Sequence, residues 1–379
     1  MAYIWGMVKL PWRQTALAAV AGLALIWAGC ETDVDLTADY QRTPVVFCLL
    51  DVAQDTQWVR INRTWLGDGN QLDAALIADS SEYDPADVEA RITEYRNGVA
   101  FRSWTLRDTL LQNKSDDGIF FGPEHQAWYM VQPGGLEGNS TYELEIDFAD
   151  GTSVRGETRG IAEVAGNITQ PPPGVPNFKL GFANIGFATT YPDVSFKWSS
   201  TSGGFRYEPQ LVVHYTEHLW ADDAHTQLVS TTEKSLSWAL GAVDANSEAG
   251  GQLLTKSING ERFFSTLASQ LEAHPRITRE LGVWDDQVQI ARAFDFVLSV
   301  ANEELAIYLD INAPVTGIIQ ERPEYTNLVG GLGLFAARSS QGVYGIGYST
   351  DTMEELAEGD LTAALQFCTP NPFSDYACP

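Results

Sequence analysis

Between Tyr142 and Phe148, apolar and acidic side chains alternate without a break. Tyr142, Leu144, Ile146 and Phe148 fall on one side; Glu143, Glu145 and Asp147 fall on the other. On a helix this pattern would scatter carboxylates around every face. On a strand it gives one dry face and one wet face, so the segment predicts a sheet with a core on one side only. Weaker versions recur nearby. Val45 to Leu50 is an apolar run, Trp58 to Arg63 alternates, and Ala90 to Tyr95 alternates into Asn97-Gly98, a strong hairpin signal. Asp150-Gly151 turns the chain into a further strand at 153–158. Several such strands over 44–162 predict an immunoglobulin-like or transthyretin-like β-sandwich, interrupted by an acidic loop at 67–87 with room for a short helix.

The prolines of Pro171-Pro172-Pro173-Gly174-Val175-Pro176 remove backbone donors and favour an extended chain. They place a linker at 163–178. Beyond it, Val194 to Trp198, Leu211 to Tyr215 and Phe294 to Leu298 read as strands. Asn259 is placed to cap a helix with Phe263, Leu267 and Leu271 on one face. Asn302 is placed to cap another with Leu305, Tyr308 and Leu309 inward. The expected class is therefore mainly β: a sandwich at 44–162, then a β-rich domain with helical insertions at 179–367, and a tail at 368–379.

The beginning of the chain reads as an address. Lys9 and Arg13 precede an apolar run from Thr15 to Ala28 that ends in Ala28-Gly29-Cys30. A basic start, a short apolar stretch and small residues before a cut site describe a secretory signal at 1–29. The run is short of the roughly 20 residues that span a bilayer. Cysteine after Ala-Gly looks like a lipobox, with Trp27 where an aliphatic residue is usual. This makes Cys30 the expected lipidation site and 30–43, with Glu31, Asp33, Asp35 and Asp39, an acidic tether. The other reading of the run is an uncleaved anchor with Cys30 incidental.

Acidic residues outnumber basic ones 50 to 23 in 379 residues, a net charge of −27. A phosphate backbone needs a basic face, so the acidic excess argues against nucleic acid as a partner. At 44% hydrophobic and 19% charged, the chain is too apolar to be disordered throughout. Of the four cysteines, Cys368 and Cys378 are placed to close a small loop, and Cys48 lies in an apolar run that predicts burial.

His214, His218 and His225, among Glu217, Asp222 and Asp223, have the donor types of a transition-metal site. The competing reading is a strand running into a solvated acidic loop, and the HExxH order is absent. Trp220 and Trp238 bracket a polar stretch and are expected to be exposed, where an indole can seat a sugar or a partner. Gly330-Gly331-Leu332-Gly333 lacks the Lys and Ser/Thr of a phosphate loop and reads as close backbone approach. The Asp68 turn, with Asp73, offers oxygens to calcium without EF-hand spacing. No G-x-S-x-G motif occurs and no nucleophile has a local base, so neither an enzyme nor a bound cofactor is expected.

Several segments together resemble one family. They are Cys30-Glu31-Thr32-Asp33-Val34-Asp35, the strand from Val88 to Gly98, Gly134-Gly135-Leu136 through Tyr142-Glu143-Leu144, and Asn327 to Phe335. In this order they resemble a family of Bacteroidota outer-membrane lipoproteins without an established activity, often encoded near TonB-dependent transporters. The resemblance implies a lipid-anchored, non-enzymatic accessory of a β-barrel transporter. Acids after the lipidated cysteine resemble the signal for cell-surface display. A stand-alone glycan- or peptide-binding lipoprotein, or a structural or adhesive component of the envelope, are the alternatives. Asp108-Thr109-Leu110 and Asp351-Thr352-Met353 also resemble the O-glycosylation motif of that phylum.

Overall fold

The computed structural model describes residues 42–66, 70–115, 118–163, 167–314 and 324–379. The signal segment 1–29, Cys30, most of the tether and Asp68 of the acidic turn lie outside the described residues. Among the described residues strand makes up 47% and helix 14%, which settles the mainly-β class. No helix among the described residues is long and apolar enough to cross a membrane.

The largest sheet has twelve strands. From one edge the order is β22 (Phe367–Cys368), β16 (Ile277–Leu281), β12 (Arg206–Trp220), β19 (Phe294–Ala301) and β21 (Leu332–Tyr348). It continues through β1 (Pro44–Asp51), β2 (Thr56–Arg63), β6 (His125–Val131) and β5 (Arg107–Leu111). Three strands branch from this path. β10 (Lys179–Leu180) joins β21, whereas β13 (Leu228–Ala239) and β14 (Val243–Asp244) join β12. A five-stranded sheet runs β20 (Leu328–Val329), β8 (Ser153–Arg159), β7 (Thr141–Phe148), β3 (Val88–Arg96) and β4 (Val99–Thr105). A three-stranded sheet runs β15 (Leu253–Asn259), β11 (Asp193–Ser199) and β9 (Ile168–Gln170), and β17 (Val283–Asp285) pairs with β18 (Ile290–Arg292).

The alternating segment is β7, buried at Tyr142, Leu144, Ile146 and Phe148. Its dry face joins Ala90 and Ile92 of β3 in a cluster with Val46, Cys48 and Leu50 of β1 and Trp128 and Met130 of β6. This is the sandwich core. Asn97 and Gly98 both take positive φ, as the tight β3–β4 turn demands. The acidic loop carries two short helices, Gln71–Ala75 and Ala78–Ser81.

The core continues past the prolines. Phe196 stacks on Phe296 with ring centroids 4.8 Å apart, and Phe182 stacks on Phe263 at 4.1 Å. Helix Gly260–Gln270 is capped by Asn259, whose side chain accepts from Glu261 N at 3.0 Å, and it buries Phe263 and Leu267. Leu271 is the C-cap residue rather than part of the helix. Asn302 caps helix Glu303–Asn312, and its amide also donates to Thr158 Oγ1 at 2.7 Å, tying the helix to β8. Leu305 is buried and Tyr308 half-buried, but Leu309, expected to face inward, is exposed. Helix Thr350–Glu358, capped by Ser349, was not expected from the sequence.

The boundary at 163–178 does not separate two bodies. Residues 42–379 form one compact unit. β1 pairs in parallel with β21, from Val45 opposite Leu332 to Asp51 opposite Arg338, so one sheet contains strands from both blocks. The linker itself contributes β9, which pairs with β11. Prolines excluded regular hydrogen bonding locally, but neighbouring residues still found sheet partners.

Gly330 and Gly333 have φ of +84° and +111°. A Cβ at Gly333 would lie 2.0 Å from Val46 O, and one at Gly330 would lie 2.1 Å from Ser153 O. The glycine run thus lets the β21 backbone approach both sheets.

Candidate functional site

The polar stretch bracketed by Trp220 and Trp238 belongs to a long hairpin of β12 and β13, paired from Gln210 opposite Ala239 to Trp220 opposite Leu228. Only 221–227 turns the chain. Asp222 Oδ1 accepts from the backbone N–H groups of Ala224 and Thr226 at 3.0 and 3.1 Å. The Thr226 hydroxyl also donates to this carboxylate and holds its pKa below the usual range. Sequence reading missed the hairpin because the outer two thirds of β13 show no alternation. Leu228 to Ser235 are all exposed, as an edge strand permits.

On β12, Leu211, Val213 and Tyr215 enter the core, so His214, Thr216, His218 and Trp220 share the opposite face. His214 Nε2 lies 2.7 Å from Asp295 Oδ2, while Asp295 Oδ1 accepts from Gly345 N at 2.8 Å. His218 Nε2 lies 2.9 Å from Glu280 Oε2, and its Nδ1 lies 3.3 Å from Thr231 Oγ1. The Trp220 indole donates to Thr278 Oγ1 at 2.9 Å. His225 packs against that indole, 5.6 Å between ring centroids, with its Nε2 2.9 Å from Pro275 O.

The three histidines therefore line one stripe without converging. His214 and His218 are four residues apart on a strand, about 13 Å, and each has its own carboxylate. A shared metal would need their nitrogens near 2 Å from one point. No group of three His, Cys, Asp or Glu among the described residues is arranged to hold a metal. The stripe is a surface of engaged imidazoles and one half-buried indole, suited to contact rather than coordination.

Trp238 does not join it. It is 7% exposed and packs 6.4 Å from Phe263. At and just past the end of β13, Leu236, Trp238 and Leu240 alternate inward, and Trp238 meets the helix at 260–270, which converts the expected exposed indole into core. Thr352 of the second O-glycosylation-like motif is likewise buried, its hydroxyl accepting from Phe182 N at 2.9 Å.

Cys368 and Cys378 form a disulfide that closes the tail. The tail is held further by β22 pairing with β16 and by Tyr348 Oη, 2.6 Å from Thr369 Oγ1. Arg279 is buried and donates to Leu365 O and Glu272 O, each at 2.8 Å. It also meets Glu217 at 3.0 Å, on the face of β12 opposite the histidines. Cys48 is buried in the core, which pushes its thiol pKa far up and leaves it chemically quiet.

A second surface was not singled out from sequence. Trp58 opposes Tyr129, and Tyr129 opposes Arg107, in one row across β2, β6 and β5. Trp58 is 43% exposed, its ring 5.4 Å from that of Tyr129, and the Arg107 guanidinium lies 5.7 Å from the Tyr129 ring. Phe47 and Leu49 of β1 are also exposed. Asp51 and Arg338 form an ion pair at 3.5 Å beside a shallow hollow of about 670 Å³. The signal was present: alternation puts Trp58 in register with Arg60 and Asn62, on the wet face.

The sequence matches no protein-family model and no curated protein. Among solved structures, one likeness is to the C-terminal globular domain of an oligosaccharyltransferase from Pyrococcus abyssi. It is 9% identical, covers 63% of this chain and 45% of that one, and has a TM-score of 0.20. Another is to the BSP domain of a biofilm-associated protein, 9% identical, covering 81% of this chain and 60% of that one, with a TM-score of 0.15. The chain thus spans less than two thirds of either structure, and neither likeness bears on function.

Proposed function

We propose that this protein is a lipoprotein of the outer membrane, anchored through Cys30 and displayed at the cell surface. In this reading it is a non-enzymatic accessory or binding subunit of a β-barrel transporter complex. The β12–β13 hairpin carries the reading. β13 pairs with β12 alone among the described residues and presents Leu228 to Ser235 to solvent, with the apolar Leu228 and Val229 at its outer end. A long sheet edge with accessible backbone groups is a template for strand addition by a partner. The histidine and Trp220 stripe borders it and supplies polar anchors.

The test is a pull-down of the C-terminally tagged protein from detergent-solubilised outer membranes, followed by mass spectrometry. The wild-type chain is expected to recover a β-barrel transporter stoichiometrically. A Leu228→Asp/Val229→Asp variant should lose it, because burying either carboxylate in the contact costs several kcal/mol. Recovery of the lipoprotein alone would overturn the reading. The second reading is stand-alone capture of a glycan or peptide, favoured by the exposed Trp58 and Tyr129 rings.

A further inference from the structure

We infer that the outer face of β1, β2, β6 and β5 is a binding platform for a neutral oligosaccharide, with the Trp58 ring as its floor and the Asp51–Arg338 pair at its rim. This gives the second reading above a site and a ligand class. It is independent of barrel docking, which rests on β13.

Three parallel rows build the platform. The central row is Trp58, Tyr129 and Arg107, with Leu49 lining the same hollow as Trp58, so an apolar and aromatic strip crosses the strands. On one side lie Asp51, facing Arg338 in register, and Thr56, facing Val131. On the other lie Phe47 and Arg60, opposite each other. A pyranose has the matching chemistry: a C–H face that stacks on an aromatic ring, and a rim of hydroxyls that bond to carboxylate and guanidinium.

The rim is held before any ligand arrives. Asp51 Oδ1 accepts from Ala53 N at 3.2 Å, and Asp51 Oδ2 faces Arg338 Nε. Buried Gln57 clamps the turn beneath: it accepts from Asp51 N and donates to Asp51 O and Gln54 O, all within 2.8 Å. Groups fixed in this way lose little freedom on binding.

Charge selects among occupants. The protein's −27 repels a polyanion at long range. Locally, Arg60, Arg107 and Arg338 disfavour a cationic peptide. An apolar protein surface would take these guanidinia out of water, and only Arg338, beside Asp51, and Arg60, beside Asn62, would keep an acceptor. A neutral glycan incurs none of these costs.

The experiment is native gel retardation of the full-length chain in detergent. The gels contain glycogen, galactomannan, arabinoxylan or laminarin, with polygalacturonate as the acidic comparison. Retardation by at least one neutral glycan is expected. Trp58→Ala should weaken it roughly tenfold, and Trp58→Phe should retain most of it, because the ring is kept. Arg338→Ala, exposed and outside the core, should weaken it as well, and decides the matter should Trp58→Ala fail to fold. Trp220→Ala should change nothing. The inference is overturned by no retardation in any neutral glycan, by retardation in polygalacturonate alone, or by retardation that a folded Trp58→Ala or Arg338→Ala chain keeps in full.

Discussion

Individual residues divide into those whose local pattern determines their environment and those whose neighbours do. Cys48, in an apolar run, is buried as the run implies. Trp58 and Trp238 show the other case. Both are tryptophans on strands, yet one faces water and the other a helix that arrives from elsewhere in the chain. Gly333 is the residue where backbone geometry is most exacting. Its φ of +111° and its approach to Val46 O both exclude a side chain. Gly333→Ala is expected to destabilise the protein by roughly 3 kcal/mol, through the strained φ and the disturbed β1–β21 pairing. Urea denaturation measures it, and an unchanged midpoint would contradict the role assigned to this glycine.

Among the elements, helix Glu303–Asn312 carries an internal conflict. Glu304 lies in its first turn, and the Oε2 atom is buried without a hydrogen-bond partner. Burial raises its pKa, and Glu248, Glu303 and Glu157 add to the rise. A carboxyl whose folded pKa exceeds its unfolded value favours folding while it is protonated, and that contribution is lost as pH rises through the folded pKa. At neutral pH the ionised group is therefore a cost. Glu304→Gln is expected to raise the melting temperature at pH 7, with the advantage shrinking towards pH 4. Melting curves across that range check it, and an equal gain at every pH would show that charge is not the cause. The helix caps were legible because Asn259 and Asn302 act on their own next turn. The β12–β13 hairpin was not, because Leu228 to Ser235 are exposed on both faces and leave no periodicity to read.

For the molecule as a whole, the consequential contact is β1 beside β21. The first strand described takes one neighbour, β2, from nearby and the other from near the end of the chain. The two blocks that composition suggested are thus halves of one folding unit. A fragment of residues 44–162 leaves the β21 side of β1 unpaired and exposes the core face that Phe335 and Leu328 cover over Gly156. It is expected not to fold cooperatively, whereas the intact chain should lose its β-sheet signal in one transition. Circular dichroism melts of both check this, and a sharp transition in the fragment would restore the two-domain division.

What the sequence determined by itself was local. It specified strands with one wet face, the Asn97-Gly98 turn and two helix caps. Each of these depends on neighbours a few residues away, and side-chain alternation reports directly which face meets water. What only the tertiary structure decided was non-local. It selected which strands share a sheet and which edge stays open. It gave His214 and His218 separate carboxylates, Asp295 and Glu280, in place of a common centre. It also left Trp58 exposed beside Tyr129. Alternation says that a strand has a dry side but not which distant segment will cover it. That choice belongs to the packing of the whole core.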